Sequence, residues 1–541
     1  MLVIPTGIFL VQASRLSRWI VDDAAITFAY ARNLVQGNGF VAQPGGPVVE
    51  GYSNPTWLAA LIVGKAAHLF DSQTTIFGVP DYVWFPKMLA VLCFIGTVWA
   101  VYITARSIWQ PAASAVAAAA LAGIMLAAIP SYVIWAVSGL ENGLYGLLIA
   151  VLIALLTRAV AFDQILTIRA ELVAAVVVLL LVCTRPDGAV YLPVFIGCAL
   201  LLATGHSLRE RCISSVRYAA MAGCGFAVVL TVRWIIFRQL VPNTAIAKGQ
   251  DFSGIWTMGR IGDITSYLGW AACLFALVMV VTAVVLKVSG SVDRRQWLTV
   301  IGPTAIVLGA ACTAFFVLNK DWMDQLRFAT PIWVAGCSLV AMSTVRVLST
   351  VTSRALLAVC VAAVVAAAVL TGQHFASSSS KFVAGPTLSA CWVDARYSQS
   401  FAAYAQELGL PQPNTLALAD VGGVLLAGRQ QAVDIAGLVD PKIASLRSDG
   451  RLGAMGRYVL NKVRPEFINV HGPWGRGITS NPKFSQDYVP IYRDLDYVRR
   501  DLVTDEQLAA LRAKAPVVVP PRSRELLLGS CGDKLGAGTT N

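Results

Sequence analysis

Long apolar runs alternate with short polar connectors from the first residue to about residue 372. Hydrophobic residues make up 57% of the 541 residues and charged residues only 13%, whereas a soluble domain carries about 25% charged residues. Most of this chain must therefore contact lipid. About eleven runs approach the roughly 20 apolar residues that one membrane crossing needs. The predicted spans are residues 2–20, 83–105, 112–134, 142–157, 172–184, 189–204, 218–237, 266–286, 297–318, 330–344 and 356–370.

The charges of the connectors predict an orientation. Arginine and lysine concentrate in alternate connectors, which indicates that these face the cytoplasm. The opposite set begins at Asp22 and ends with the C-terminal tail, so we expect it on the outer side of a cytoplasmic (inner) membrane. Residues 55–70 are apolar but short and contain Lys65 and His68. Because counting them as a span would invert every later connector, we predict a helix at the outer membrane face.

The C-terminal tail has the composition of a soluble domain. A polar run at residues 377–381 divides the chain into a membrane domain, 1–376, and an extracytoplasmic domain, 377–541. The tail has an α/β pattern, with strands at 415–419, 431–435 and 466–470 and a helix at 504–514. It either holds an acceptor molecule or is a structural appendage.

Cysteine usage agrees with an outward-facing tail. Of the eleven cysteines, only Cys391 and Cys531 lie in the tail, and the others lie in or at the edges of spans. Two cysteines in an oxidising compartment predict one disulfide that joins the two ends of the domain. The net charge of +12 does not indicate nucleic acid, because the basic residues are scattered through membrane connectors without a nucleic-acid-binding motif.

Two adjacent carboxylates, Asp22 and Asp23, open the first outward connector. Residues 24–35 are predicted to form a surface helix that ends at the glycines of residues 37–39. A structural interpretation of the pair is helix N-capping, which favours aspartate, although one cap needs only one. The functional interpretation is a general base for an acceptor hydroxyl, kept ionised by the helix end.

Other polar residues occur in the outward connectors at membrane depth. Arg185 with Asp187 has a simpler interpretation as an ion pair within a turn, and Arg327 as an interfacial anchor of the next span. Together the outward connectors offer carboxylates and two or three cations, which a phosphate leaving group and a hydroxyl acceptor require. The set comprises Glu141, Arg185, Asp187, Asn243, Lys248, Asp321 and Arg327.

The first connector resembles that of the GT-C glycosyltransferases, membrane enzymes that use polyprenyl-phosphate sugars. The matching text is Asp-Asp-Ala-x-Ile-Thr-Phe-x-Tyr-Ala-Arg-Asn-Leu, then Gly-Asn-Gly, then Val-Glu-Gly-Tyr-Ser-Asn-Pro. Ser-Gly-Leu-Glu, Arg-Pro-Asp-Gly, Pro-Asn-Thr and Asp-Trp…Arg-Phe recur in the same order in similar proteins, so the resemblance covers nearly all of residues 15–331. A tail stretch, residues 433–440, also resembles these enzymes. Within the superfamily, the layout is most similar to actinobacterial arabinofuranosyltransferases that act on cell-wall arabinan, but Gly-Tyr-Ser-Asn-Pro after Glu50 departs from their pattern.

The resemblance implies a GT-C fold, with about eleven spans and interfacial helices, and an inverting transfer of a sugar. The best match for the sugar is arabinofuranose; a mannosyl or other glycosyl donor is the alternative. The implied partners are a polyprenyl-phosphate sugar, membrane lipid and a cell-envelope polysaccharide or lipoglycan acceptor. The implied base is Asp22 or Asp23. The implied phosphate ligands are Arg185, Lys248 and Arg327, and the implied substrate-binding residues are Glu50, Tyr52, Asn54, Glu141, Asn243 and Asp321.

Two alternatives stay open at the level of the sequence. Some relatives use a divalent cation (Mg, Mn or Ca) and others none; Asp22 and Asp23 would be the ligands, but no complete set of oxygen ligands is evident. A flippase or transporter of lipid-linked sugars would also place charges near the bilayer. Transporters usually show repeats and interrupted spans near the midplane, whereas here the polar residues collect at one face and no repeat is evident.

Overall fold

The computed structural model describes residues 1–109, 112–249, 258–288, 294–319, 321–350 and 354–531. Up to residue 384, the described residues form helices and one short hairpin of strands β1 (Thr75–Ile76) and β2 (Val79–Pro80). The α-helices of this part are α1 Val3–Ser14, α2 Asp22–Val35, α3 Pro55–Ala66, α4 Asp81–Arg106, α5 Ala112–Ala128, α6 Pro130–Ala136, α7 Asn142–Ala161, α8 Ile168–Thr184, α9 Val194–Leu202, α10 Leu208–Phe237, α11 Asn243–Lys248, α12 Met258–Val288, α13 Arg294–Val317, α14 Thr330–Thr350 and α15 Arg354–Ala384.

Every predicted span coincides with helical structure, but the count of eleven is not confirmed. Within the described residues, 6 helices are long and apolar enough to cross a membrane, or 7 if α5 and α6, which are bent by 80°, form one span. Helix α1 has 12 residues, about 18 Å at 1.5 Å per residue, which is shorter than the roughly 30 Å hydrocarbon core. The chain is a polytopic α-helical membrane protein in which several apolar runs are shorter than a full crossing.

The spans fall into two groups by burial. The apolar windows of α4, α7 and α14 are 50%, 61% and 72% buried, whereas those of α10, α12 and α15 are each 6% buried. The first group forms the centre of the bundle, where aromatic rings such as Phe9 and Phe94 stack with centroids 4.5 Å apart. The second group exposes apolar side chains on its outer faces, as expected for helices that contact lipid.

Both predicted helices of the first outward connector are present. Helix α2 begins at Asp22 rather than at residue 24, and Gly37, with a φ of 81°, follows its end. This left-handed backbone conformation favours glycine. Helix α3 lies within the apolar stretch that the sequence predicts as interfacial, and it begins at Pro55, where a missing N–H costs nothing.

Helix α15 continues through the polar run at residues 377–381 and ends at Ala384. The hydroxyl of Ser378 donates to Gln325 Oε1 at 3.3 Å, so this run packs against the membrane domain. The division into domains 1–376 and 377–541 remains a prediction, and its border falls inside a helix. Polar residues marked the end of the apolar run, not the end of the helix.

The soluble part contains a five-stranded sheet with strand order β4-β3-β5-β7-β6. Strands β4, β3 and β5 are parallel, and β7 and β6 are antiparallel to their neighbours. The strands are β3 Thr415–Leu418, β4 Gln431–Asp434, β5 Phe467–Asn469, β6 Tyr488–Tyr492 and β7 Asp496–Arg499. The α-helices are α16 Ala390–Val393, α17 Ser400–Glu407, α18 Gly422–Ala427, α19 Pro441–Ser448, α20 Leu452–Arg457, α21 Arg476–Thr479, α22 Pro482–Asp487, α23 Asp505–Val518 and α24 Arg524–Leu527.

The α/β prediction for the tail is confirmed. The three predicted strands are β3, β4 and β5, and the predicted helix is α23, which Thr504 caps together with Gln507. The sequence missed β6 and β7, because Pro490 within β6 argues against a strand except at a sheet edge, and β6 is an edge strand. Cys391 and Cys531 are bonded, with Cα atoms 5.5 Å apart.

Candidate active site

Asp22 joins the membrane domain to the soluble domain. Its Oδ2 accepts a hydrogen bond from the Gly422 N–H at 3.0 Å, and its Oδ1 accepts one from the Gly423 N–H at 2.6 Å. These are the first backbone N–H groups of α18, which have no partner within that helix. Asp22 is 5% exposed. Its carboxylate therefore caps a helix of the soluble domain, while its own helix α2 begins without a side-chain cap.

The junction around Asp22 is tightly packed. A Cβ atom added to Gly422 would lie 2.0 Å from the backbone oxygen of Asp22, so only glycine fits there. The neighbouring backbone is also shared, because Val21 forms an isolated antiparallel bridge with Ser389. Burial raises the pKa of Asp22 well above its usual range, and the charges of Asp420 and Asp23 raise it further.

Asp23 has different surroundings. Its side chain is 21% exposed and lines a cavity of about 580 Å³, and its Oδ2 lies 3.9 Å from Lys248 Nζ. Burial raises the pKa of Asp23, and the positive charges of Lys248 and Arg327 partly offset this effect. A partly exposed carboxylate with a raised pKa and no capping partner has the properties of a general base.

The lining of the cavity is both apolar and polar. Its apolar lining comes from α2, the 3₁₀ turn after Arg185, α11 and the C-terminal end of α13, and Leu438 adds a side chain from the soluble domain. Its charged lining residues are Asp23, Glu141, Arg185, Asp187, Lys248 and Arg327, and its uncharged polar ones include Thr27 and Asn54. Of the candidate site residues named from the sequence, the cavity brings together Asp23, Tyr52, Asn54, Glu141, Arg185, Lys248 and Arg327.

Arg185 is the centre of a buried ionic chain in this cavity. Its NH1 donates to Glu141 Oε1 at 3.0 Å and its Nε to Asp187 Oδ1 at 2.9 Å. Glu141 Oε2 in turn accepts from Asn54 Nδ2 at 2.7 Å. The turn interpretation of Arg185 with Asp187 is thus correct but incomplete, since Glu141 comes from the start of another span. Two carboxylates already balance the charge of Arg185.

Arg327 and Lys248 are less fully paired. Arg327 Nε lies 2.7 Å from Asp321 Oδ2, in ion-pair contact but not aligned as a hydrogen bond. The Phe328 ring lies beneath both arginines, with its centroid 4.9 Å from Arg185 Cζ and 5.1 Å from Arg327 Cζ. Lys248 has a side chain that is 44% exposed. These two cations are therefore better placed than Arg185 to accept a new anionic partner.

Three of the predicted substrate-binding residues lie outside this cavity. Glu50 is 2% exposed and forms a bidentate ion pair with Arg233 of α10. Asn243 is fully buried and donates to the carbonyls of Gly437 and Leu438, so it attaches the soluble domain to α11. Asp321 pairs with Arg327, and both residues line a second cavity. Ion pairs therefore engage Glu50 and Asp321, and backbone carbonyls engage the Nδ2 group of Asn243.

Three further residues of the site were not named as candidates from the sequence. Tyr145 and Phe328 supply aromatic faces to Arg185, with centroids 5.4 Å and 4.9 Å from its Cζ. Leu438 reaches the cavity only because the soluble domain docks on it. Phe328 and Leu438 fall within stretches that carry the family resemblance, but aromatic and aliphatic residues are common in membrane helices and cores, so residue type does not separate them from packing residues.

Asp22 and Asp23 are the residues that the sequence offers as ligands of a divalent cation. No group of three or more His, Cys, Asp or Glu side chains in the described ranges is arranged to hold a metal. Both oxygens of Asp22 accept backbone N–H groups, and the nearest charged partner of Asp23 is Lys248. Hard cations require several free oxygens, and this pair of aspartates does not fit that requirement.

No family model and no curated protein sequence matches this chain. Solved structures do match it. ArnT from Cupriavidus metallidurans bound to undecaprenyl phosphate superimposes with a TM-score of 0.56 at 14% identity, covering 93% of this chain and 98% of that one. The oligosaccharyltransferase AglB from Archaeoglobus fulgidus, in complex with an inhibitory peptide and a dolichol-phosphate, gives a TM-score of 0.51 at 12% identity, covering 86% and 69%.

These similarities define the fold. The chain shares its fold with these two structures, in agreement with the GT-C-like fold that the sequence predicts, and a small sheet domain follows its apolar helices. One of the matched structures is bound to undecaprenyl phosphate, and the other is in complex with a dolichol-phosphate. A shared fold by itself does not assign a reaction.

Proposed function

We propose that this chain is an inverting membrane glycosyltransferase that uses a polyprenyl-phosphate sugar. The observation that carries the proposal is one cavity whose lining combines many apolar side chains with Asp23, Lys248 and Arg327. Apolar lining suits the lipid part of the donor, and the charged residues suit its sugar phosphate. Few other ligands have both an apolar tail and an anionic, hydroxyl-rich head.

The cations bind the phosphate of the donor. Lys248 and Arg327 are the principal ligands, since neither has its charge balanced by two hydrogen-bonded carboxylates as Arg185 does. Arg185 retains NH2 for the phosphate while Glu141 and Asp187 fix the orientation of its guanidinium. Positive charge also stabilises the departing oxygen, because negative charge increases on the lipid phosphate as the glycosidic bond breaks.

Asp23 is the catalytic base. The acceptor hydroxyl oxygen attacks the anomeric carbon from the face opposite the phosphate, and its proton passes to Asp23. The bond between the anomeric carbon and the phosphate oxygen breaks with its electron pair, so polyprenyl phosphate leaves and the configuration inverts. Asp22 does not take part, because both of its oxygens are engaged by Gly422 and Gly423.

The proposal extends to the identity of the donor sugar and of the acceptor. The resemblance of the first connector favours arabinofuranose as the sugar and a cell-envelope polysaccharide or lipoglycan as the acceptor; mannose is the alternative sugar. The connector charges favour an active site on the outer face of the cytoplasmic membrane. Asn54 and Tyr52 line the cavity and are the candidates for contacts with sugar hydroxyls.

The test is transfer by the purified protein. It is incubated with a panel of radiolabelled polyprenyl-phosphate sugars and octyl glycoside acceptors, and products are separated by chromatography. We expect one donor to give a labelled, anomerically inverted product with the wild type and not with Asp23→Asn. Donor translocation across proteoliposomes without any product would refute the transferase and favour a flippase.

A further inference from the structure

The carboxyl ends of the three parallel strands of the soluble sheet point toward the membrane domain. Ligands of open α/β sheets bind at this edge. Asp434 ends β4 and its loop contacts Asn243 through Gly437 and Leu438. Asp420 follows β3 by two residues, and His471 follows β5 by two residues. The edge that is most suited to bind a ligand is therefore the edge docked beside α2.

Asp420 and His471 form an open polar pair at this edge. Asp420 Oδ2 lies 3.1 Å from His471 Nε2, and the two side chains are 20% and 25% exposed. The Tyr397 ring stacks on the imidazole with centroids 5.8 Å apart. A purely structural ion pair in this domain looks different: Asp496, which pairs with Arg396, is fully buried.

The neighbouring hydrogen bonds fix the orientation of the His471 ring. Asn469 Nδ2 donates to Asp496 Oδ1 at 2.6 Å, so Asn469 Oδ1 is the atom 2.6 Å from His471 Nδ1. Nε2 on the other side of the ring then faces Asp420 Oδ2, so both ring nitrogens are engaged within the domain. The group of this pair that suits sugar hydroxyls is the Asp420 carboxylate, because each of its oxygens accepts hydrogen bonds.

This pair lies close to the catalytic carboxylate but outside the donor cavity. Asp420 comes two residues before Gly422, whose N–H binds the residue next to Asp23. Its charge contributes to the raised pKa of Asp23. Neither Asp420 nor His471 is among the residues that line the donor cavity. A molecule bound here would approach Asp23 from the soluble domain, on a different side from the lipid.

We propose that Asp420 and His471 form the subsite in which the soluble domain binds the hydroxyl groups of the saccharide acceptor. The inference rests on the proposed transferase function and adds the place of acceptor recognition to it. Asp420 accepts hydrogen bonds from sugar hydroxyls through the oxygen that does not face His471. His471 orients the Asp420 carboxylate through the contact of its Nε2 with Asp420 Oδ2.

The test separates acceptor recognition from donor binding. Initial rates are measured for Asp420→Asn, Asp420→Ala and the surface control Glu407→Gln, using octyl α-arabinofuranoside and octyl α-mannoside with the labelled donor that the wild type uses. Loss of hydrogen bonds to a charged group predicts an acceptor KM about 10-fold or more higher for Asp420→Ala. We expect a smaller increase for Asp420→Asn and an unchanged donor KM in both.

Each outcome bears on the proposal. Hydrogen exchange at Gly422 and Gly423 reports whether the domains stay docked, and we expect wild-type protection in Asp420→Asn. An unchanged acceptor KM in a folded Asp420→Ala protein would overturn the subsite, as would a KM change that appears only with lost protection at those amides. If the wild type transfers no sugar from any donor, the transferase function itself fails before any variant is compared.

Discussion

Replacing each of the two adjacent aspartates by asparagine should give opposite phenotypes. Asp22→Asn removes one of two buried hydrogen bonds that cross between the domains, since Gly422 and Gly423 donate to different carboxylate oxygens and the NH2 group that replaces one of them cannot accept. Asp23→Asn removes a charge from the donor cavity while its ion contact, at 3.9 Å with Lys248, is weak. The first change should act on domain docking and the second on chemistry.

The magnitudes follow from these contacts. A hydrogen bond to a charged group contributes about 1.5–3 kcal/mol. Recovering the desolvation cost of the buried Asp22 carboxylate offsets part of this, so we expect a net loss of about 1–2 kcal/mol in docking. That loss corresponds to a roughly 5- to 30-fold larger equilibrium constant for opening of the junction. For Asp23→Asn, stability should change by less than about 1 kcal/mol, whereas the transfer rate should fall about 100- to 10,000-fold.

Two assays measure these effects in the same detergent preparation. Hydrogen-exchange mass spectrometry of peptides covering α18 reports the protection of Gly422 and Gly423. Transfer of labelled sugar reports turnover, and binding of the labelled lipid donor reports affinity. We expect Asp22→Asn to lose protection at α18 and to bind the donor with an affinity similar to that of the wild type. Asp23→Asn should keep protection and donor binding and lose transfer.

Two results would contradict the assignment of Asp23 as the base and of Asp22 as the docking residue. Near-normal transfer by Asp23→Asn would show that this carboxylate is not the base. The base would then be sought first at Glu141, a carboxylate of the same cavity that accepts a hydrogen bond from Asn54 of another connector. A loss of transfer in Asp22→Asn with full protection at Gly422 would show that the assignment of the pair is reversed.

Further outcomes are expected at other positions. Lys248→Ala removes a positive charge and should raise the donor KM. Because the charge of Lys248 lowers the pKa of Asp23, the substitution should also move the acidic limb of the pH–rate profile to higher pH. An unmoved limb would contradict the contact between Lys248 and Asp23. Mass spectrometry of a non-reduced digest should recover Cys391 linked to Cys531, and two free thiols would refute the bond. The bond closes a loop of 140 residues and should stabilise the soluble domain by about 4–5 kcal/mol in the chain-entropy model. In intact cells, an impermeant thiol reagent should label Ser445→Cys and should not label Arg211→Cys, and external labelling of the second would refute the orientation.

The amino-acid sequence by itself determined the class of fold. Every apolar run predicted as a span coincides with helical structure, because a lipid environment demands apolar side chains whatever the tertiary arrangement. The alternation of short apolar strands with turn residues found the parallel strands β3, β4 and β5. The number of full crossings did not follow, since helix length and bending, as at the 80° bend between α5 and α6, depend on how neighbours pack.

Only the tertiary structure separated the surroundings of Asp22 and Asp23. They are adjacent in the sequence and equivalent in type, but successive residues of a helix start point about 100° apart, so one meets Gly422 and the other the cavity. The partner that decides this, α18, lies 400 residues along the chain. Glu50 and Asn243 lie outside the cavity for the same reason: their partners, Arg233 and the carbonyls of Gly437 and Leu438, are remote contacts that a single sequence does not encode locally.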